Sequence, residues 1–361
     1  MKINIIITFL LFSLISCTEN SLINLKLPVT GGLIEGSAEG DLKKYLGIPY
    51  AAPPVGDLRW SPPQPLNAWS GIKDASVNSN ICYQPYQPSE FYDRGPDQST
   101  MSEDCLTLNI WTRASTTKEN LPVMVWIHGG ALVWGSGSEY KGEELTKRDV
   151  ILVTVNYRLG PLGFFAHQEL NDENNGHSGN QGFRDQIAAL EWVQSNISKF
   201  GGNPENVTIF GESAGSWSVN VLQASPLSQG LFHKVIGQSG ARLLPLTHLT
   251  TATDYSESAL EVGLNLTKII SNKKTTSLGD LRNLSAEEII KKVEMDPVYS
   301  TTFDTLTIID GDVLPEAISE IFSKGNQANT PVLIGSTADE ATTFDPKMLA
   351  PEFAQFLKYS E

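Results

Sequence analysis

The sequence predicts an α/β fold, a mostly parallel central sheet flanked by helices, and three stretches predict it. Two short, continuously apolar runs, Val123-Met124-Val125-Trp126-Ile127 and residues 150–155, have the character of parallel strands buried on both faces. From 179 to 200 the apolar positions Ile187, Leu190, Val193 and Ile197 recur at spacings of three and four, which predicts an amphipathic helix ending at Gly201-Gly202. Asn206-Val207-Thr208-Ile209-Phe210 then reads as a β-branched and aromatic strand, and residues 214–223 as a helix stopped by Ser225-Pro226.

Between that last strand and helix stands Gly211-Glu212-Ser213-Ala214-Gly215. A serine at so sharp a strand-to-helix turn is held in a strained conformation with its hydroxyl exposed above the sheet. Glycines two residues away on each side let strand and helix approach without a side-chain clash. That is the layout of a nucleophile elbow. The plainer reading is an ordinary βα turn with a capping serine. In an open parallel sheet, ligands bind beyond the carboxyl ends of the strands. His128-Gly129-Gly130-Ala131 and Asn156-Tyr157-Arg158, which follow the two apolar strands, should therefore converge with Ser213. The two glycines let backbone N–H groups point into the site, where acyl transfer develops negative charge on oxygen. His128 reads as a structural histidine closing its strand. Arg184 and Asp185 read as a salt-bridged structural pair.

Length and composition set bounds on the rest. A chain of 361 residues with 40% hydrophobic side chains can bury one large α/β core or two smaller ones. A formal charge of −15 argues against a nucleic-acid or anionic-membrane surface. Beyond the first sixteen residues no apolar run reaches the ~18 needed to span a bilayer. Met1-Lys2-Ile3-Asn4 and the apolar run 5–15 have the layout of an export signal, so residues 1–16 are expected to be absent from the mature protein. Leu14-Ile15-Ser16-Cys17 resembles the bacterial lipobox, in which the cysteine is lipidated. A plain signal peptide with an incidental cysteine is the other reading. Lipidation of Cys17 would make residues 17–27 a tether and place the protein at a bacterial cell envelope, on its periplasmic or outer-membrane face. Residues 28–112, punctuated by proline and glycine, read as short strands and turns, an N-terminal β region. Residues 242–300 show polar helical patches such as 286–293 and read as an inserted cap or cleft wall. Pro331-Val332-Leu333-Ile334 reads as another core strand, with Glu340 in a loop at its carboxyl end.

Taken in order, Tyr45-Leu46-Gly47-Ile48-Pro49-Tyr50-Ala51, Glu103-Asp104-Cys105-Leu106-Thr107-Leu108-Asn109-Ile110, Trp126-Ile127-His128-Gly129-Gly130, Asn156-Tyr157-Arg158-Leu159-Gly160, the run 180–215, Gln238-Ser239-Gly240 and Ile334-Gly335-Ser336-Thr337-Ala338-Asp339-Glu340 carry a resemblance. The chain resembles the type-B carboxylesterase/lipase family, the cholinesterase-like serine esterases of the α/β-hydrolase fold, over roughly residues 28 to 345.

This resemblance implies that Ser213 is the nucleophile, that the N–H groups of Gly130, Ala131 and Ala214 hold the oxyanion, and that Glu340 is the acid that orients a histidine. Ala131 and Ala341 stand where relatives often have glycine. Glu340 read without the resemblance is one of many exposed glutamates. The resemblance also pairs Cys82 with Cys105, leaving Cys17 over. In an oxidising compartment such a loop contributes roughly 3 kcal/mol by chain-entropy reasoning. Small-molecule esters are the implied substrates, with no cofactor, no metal and no nucleic acid, and with a membrane contacted only through the lipid anchor.

One part is missing from this pattern. In α/β-hydrolases the order along the chain is serine, acid, histidine, whereas His128, His167, His177, His233 and His248 all precede Glu340 and residues 341–361 contain no histidine. The expectation is therefore an incomplete α/β-hydrolase domain over 28–361, a fragment of a longer esterase whose C-terminal part is absent. The alternative is a catalytically silent binding or adhesion protein on the same fold.

Overall fold

Eight strands form the central sheet among the residues that the computed structural model describes, which are 22–85, 100–243, 245–253, 256–271, 276–294, 306–338 and 340. In chain order they are β1 (Ser37–Glu39), β2 (Leu42–Pro49), β3 (Thr107–Thr112), β4 (Leu121–Ile127), β5 (Ile151–Val155), β6 (Gly202–Glu212), β7 (Lys234–Gln238) and β8 (Val332–Gly335). Their spatial order is β8-β7-β6-β4-β5-β3-β2-β1. From β5 to β8 every pairing is parallel, and from β5 to β1 every pairing is antiparallel. The expected parallel character thus holds for the half of the sheet that carries the candidate site.

Period-two alternation divides the strands between two faces. Val123, Val125 and Ile127 of β4 point into the main core with Ile151, Val153, Val155, Val207 and Ile209. There they meet Ile187, Leu190 and Val193 of α1 (Gln181–Asn196) and Val219 and Leu222 of α2 (Ala214–Ala224). The helix expected over 179–200 becomes α1 followed by a 3₁₀ turn, Ile197–Phe200, and stops where Gly201 takes a left-handed φ of 84°. On the other face Trp126, Leu152, Trp111 and Leu42 form a smaller cluster covered by Tyr140 and Leu145.

Two expectations are corrected. Residues 22–27, expected in a tether, are folded onto the domain: Ile23 is buried and its N–H bonds the carbonyl of Ser115, and a strand begins at Lys26. The stretch expected as a core strand is β8, which pairs with β7 but leaves Val332, Leu333 and Ile334 exposed among the described residues. The helical patch expected at 286–293 is found, and two further helices precede it among the described residues. The helices α3 (Ala259–Ser271), α4 (Leu278–Arg282) and α5 (Ala286–Glu294) build a second core with Trp60, Leu162 and Phe165. On α5 the glutamates and lysines hide an apolar stripe of Ile289, Ile290 and Val293. Ser285 and Glu288 close a capping box at its start, with Ser285 N–H 2.8 Å from Glu288 Oε2 and Glu288 N–H 3.2 Å from Ser285 Oγ. Arg59 fastens this unit to the N-terminal region by donating to the carbonyls of Leu281, Arg282 and Leu284 and by pairing with Glu103.

Candidate active site

At the carboxyl end of β6, Ser213 has φ 53° and ψ −119°, a conformation that L-residues rarely adopt. Its surroundings impose this shape. The Ser213 N–H bonds the carbonyl of Gln238 on β7 at 2.9 Å, and its own carbonyl accepts from Trp217 N–H at 3.0 Å as α2 begins. A Cβ on Gly211 would lie 2.5 Å from the Gly215 carbonyl carbon, and one on Gly215 would lie 2.1 Å from the Ile127 oxygen. Both glycines are therefore required for strand and helix to cross so closely. The sequence put a strained serine here, and the geometry is that of a nucleophile elbow rather than a relaxed capping turn.

The Gly129-Gly130 turn lies directly beside it: a Cβ on Gly129 would be 3.3 Å from the Ser213 Cβ. Gly130, Ala131 and Leu132 all have positive φ, 99°, 55° and 63°, and the Gly130 carbonyl accepts from both Val133 and Trp134 N–H. Ala131 adopts this conformation without being glycine. Ala214 is fully buried at the first position of α2. The structure thus places Gly129, which leads into Gly130 and Ala131, beside Ser213 at the ends of β4 and β6.

Behind the turn, Asn156-Tyr157-Arg158 supplies anchors. Asn156 Oδ1 accepts from Gly137 N–H at 2.9 Å, and the Tyr157 hydroxyl donates to the His128 carbonyl at 2.8 Å. Arg158 forms a two-pronged pair with Asp185, Nε to Oδ2 at 2.7 Å and Nη2 to Oδ1 at 2.6 Å, both side chains buried. The expected Arg184–Asp185 pair is therefore a correction: Asp185 binds Arg158, while Arg184 binds Asp312. Adjacent residues on a helix diverge and cannot face each other. His128 is buried and stacked on Tyr157 at 4.4 Å. Its Nδ1 lies 2.8 Å from the Gly129 carbonyl, which can only accept, so Nδ1 carries the hydrogen. Burial lowers its pKa to about 4, and the imidazole is neutral.

Glu340 lies just beyond β8. Its Oε2 accepts from Thr337 N–H at 2.8 Å and from the Thr337 hydroxyl at 2.5 Å. These donors, the Thr337 hydroxyl foremost and the Ser239 hydroxyl next, hold its carboxyl below the usual range. Ser239 in turn is fixed by its N–H to the Gly335 carbonyl, and the neighbouring Gly240 packs against the Ser213 carbonyl, so acid and serine share one framework. Glu212, the neighbour of Ser213 inside the five-residue motif, also lies against the Gly129 turn. Its Oε2 lies 3.0 Å from where a Gly129 Cβ would stand. Partial burial, and then the charge of Glu340, push its carboxyl upward.

Each of the five histidines is held by other partners. His128 is bonded to Gly129; His167 Nδ1 accepts from Glu169 N–H; His177 Nδ1 lies 3.3 Å from the Asp310 carbonyl. His233 Nδ1 accepts from Val207 N–H, and His248 Nδ1 from Thr250 and Thr251 N–H. Among the described residues no group of three or more His, Cys, Asp or Glu is placed to hold a metal. Cys82 and Cys105 are joined, S–S 2.03 Å. Cys17 lies outside the described residues.

Comparison with known proteins agrees with this geometry. The model of the carboxylesterase family matches residues 21–358. The chain is 39% identical over 331 residues to the fumonisin B1 esterase of Sphingopyxis macrogoltabida, a match covering 91% of this chain and 58% of that protein. It is 42% identical over 318 residues to the para-nitrobenzyl esterase of Bacillus subtilis, covering 87% and 62%. A solved PNB esterase superimposes with a TM-score of 0.75 at 36% identity, over 91% of this chain and 66% of that one. A carboxylesterase of Geobacillus stearothermophilus does so at 0.75 and 35%, over 92% and 68%. The chain therefore spans roughly three fifths of the length of the curated relatives it matches. Their fold is the α/β-hydrolase fold, and the chain belongs to the carboxylesterase family.

Proposed function

We propose that the protein hydrolyses carboxylic esters of small molecules through an acyl intermediate on Ser213. The observation that carries this reading is the strained Ser213 with the Gly129-Gly130 turn packed against its side chain. In the reaction, Ser213 Oγ attacks the ester carbonyl and gives its proton to a general base. The oxyanion is held by the N–H groups of Gly130, Ala131 and Ala214. Collapse breaks the ester C–O bond, and the alcohol leaves with the proton that the base returns. Water then attacks the acyl-serine by the same route, releasing the acid and restoring the hydroxyl. Glu340, kept ionised by Thr337 and Ser239, orients and charges the base. Among the described residues no hydrogen bond joins any of the five histidines to Ser213 or Glu340, so the base is assigned to none of them. The names of the relatives, fumonisin B1 esterase and para-nitrobenzyl esterase, support ester substrates but do not choose among them.

Rapid mixing of the full-length protein with a short-chain aryl ester tests this. A burst of phenol equal to the enzyme concentration, absent in Ser213→Ala, is the expected result. A second reading, a silent binding protein on this fold, is favoured by the lack of any hydrogen bond from a histidine to Ser213 or Glu340 among the described residues. That reading predicts equal ester binding by both proteins and no phenol from either.

We further propose that Cys17 carries lipid and holds the exported protein at a bacterial envelope membrane, supported by Leu14-Ile15-Ser16-Cys17 at the end of an apolar run. The mass of the mature N-terminal peptide decides it: a chain starting at an unmodified Thr18 or Glu19 contradicts the anchor.

A further inference from the structure

Gln84 is 3% exposed and spends its whole amide on backbone. Its Oε1 accepts from Gly135 N–H at 2.8 Å, and its Nε2 lies 3.1 Å from both the Gly135 carbonyl and the Cys82 carbonyl. The side chain thus ties the strand that carries the Cys82–Cys105 bridge to one glycine, using both the donor and the acceptor of that glycine. Gly135 has φ 105°, and a Cβ there would lie 2.5 Å from His128 Nδ1 and 2.9 Å from the Gly129 oxygen. On its far side Gly129 packs against Ser213, and the loop beyond Gly135 is fixed at Gly137 by Asn156. An unbroken line of contacts therefore runs from Gln84 through Gly135 and Gly129 to Ser213.

We propose that Gln84 is a positioning residue for the Gly129-Gly130-Ala131 turn: its two-sided bond to Gly135 presses that glycine onto His128 and Gly129 and holds the turn where its N–H groups meet the oxyanion. The proposal rests on the ester-hydrolase reading of the turn given above. A turn with positive φ at three successive residues relaxes readily if one end is released. Donors for an oxyanion act only when they are fixed before the charge develops. Loss of the clamp therefore slows the chemical step and leaves ground-state substrate binding largely intact.

The test uses the full-length protein and Gln84→Met, which is similar in size and makes none of these bonds. Amide hydrogen exchange is followed by mass spectrometry in peptides covering 128–137 and 205–212, with kcat and KM measured on an aryl ester. We expect exchange in 128–137 to quicken by about tenfold or more while 205–212 is unchanged. We also expect kcat to fall about tenfold with KM within about twofold. Exchange unchanged in 128–137, exchange raised equally in both peptides, or a higher KM at constant kcat overturns the proposal. If Gln84→Met does not fold, Gln84→Glu keeps the oxygen for Gly135 N–H but loses the donors, and a smaller change with the same signs is required of it. Should the unmutated protein release no alcohol, the ester-hydrolase reading fails, whereas the exchange comparison still decides whether Gln84 fastens the turn.

Discussion

Thr337 gives both of its donors to a single oxygen of Glu340, the backbone N–H at 2.8 Å and the hydroxyl at 2.5 Å from Oε2. Hydrogen bonds to the charged form lower the carboxyl pKa. Thr337→Val keeps the shape and removes the hydroxyl. The Glu340 carboxyl should then titrate higher than in the unmutated protein, and the acid limb of kcat/KM should move upward with it. Carboxyl-labelled glutamate followed by NMR reads the first effect directly. An unmoved Glu340 resonance in Thr337→Val contradicts the assigned hold.

Stability against acid depends on His128. Its folded-state pKa is depressed to about 4 by burial, below the unfolded value of about 6.5. The unfolded chain thus binds a proton that the folded chain refuses between those values. Stability contributed by the neutral ring is complete above about pH 6.5 and declines as pH falls toward 4, by roughly 3 kcal/mol. In His128→Gln, which has no such titration, the urea midpoint should fall less between pH 6.5 and 4 than in the unmutated protein. Parallel curves for the two proteins would show that the ring is not buried neutral.

Gly215 has no room for a side chain. Its Cβ would stand 2.1 Å from the Ile127 oxygen, a backbone atom at the carboxyl end of the central strand β4. Gly215→Ala should cost at least about 3 kcal/mol or prevent folding, because neither strand nor helix can yield without opening the elbow. Circular dichroism in urea provides the comparison, and a Gly215→Ala midpoint equal to that of the unmutated chain rules out this crossing geometry.

Breaking the buried pair between Arg158 and Asp185 should be nearly as damaging. Asp185→Asn leaves a guanidinium uncompensated where both side chains are excluded from water. Removal of one partner of a buried pair typically costs about 3–5 kcal/mol. Arg184→Ala, which loses a partly buried bond to Asp312, should cost less, about 1–2 kcal/mol. Equal losses in the two variants would contradict the assignment of partners.

That pair also shows where sequence reading succeeds and where it stops. The strand, elbow and helix around Ser213 are readable because strand period, glycine spacing and helix stop all lie within about twenty residues of one another. Asp185 was recognised as structural, but its partner is 27 residues away on another element, and no local pattern points to Arg158. Gln84 is 51 residues from Gly135 for the same reason. Of the helices in 259–294, α5 was legible as the helical patch at 286–293, whereas no local pattern singled out α3 and α4. β8 was read as a core strand because four apolar residues in a row have that signature on any parallel strand. Exposure depends on what lies against the strand, which its own residues do not encode.

The claim on which the rest depends is that Ser213 is the acyl acceptor. Incubating the full-length protein with a fluorophosphonate, followed by peptide mapping, tests it in one step, because the reagent is captured only by an activated nucleophile. The account predicts one adduct per chain on the peptide containing Gly211-Glu212-Ser213-Ala214-Gly215 and none in Ser213→Ala. A stoichiometric adduct on another residue, with ester hydrolysis surviving in Ser213→Ala, would contradict it.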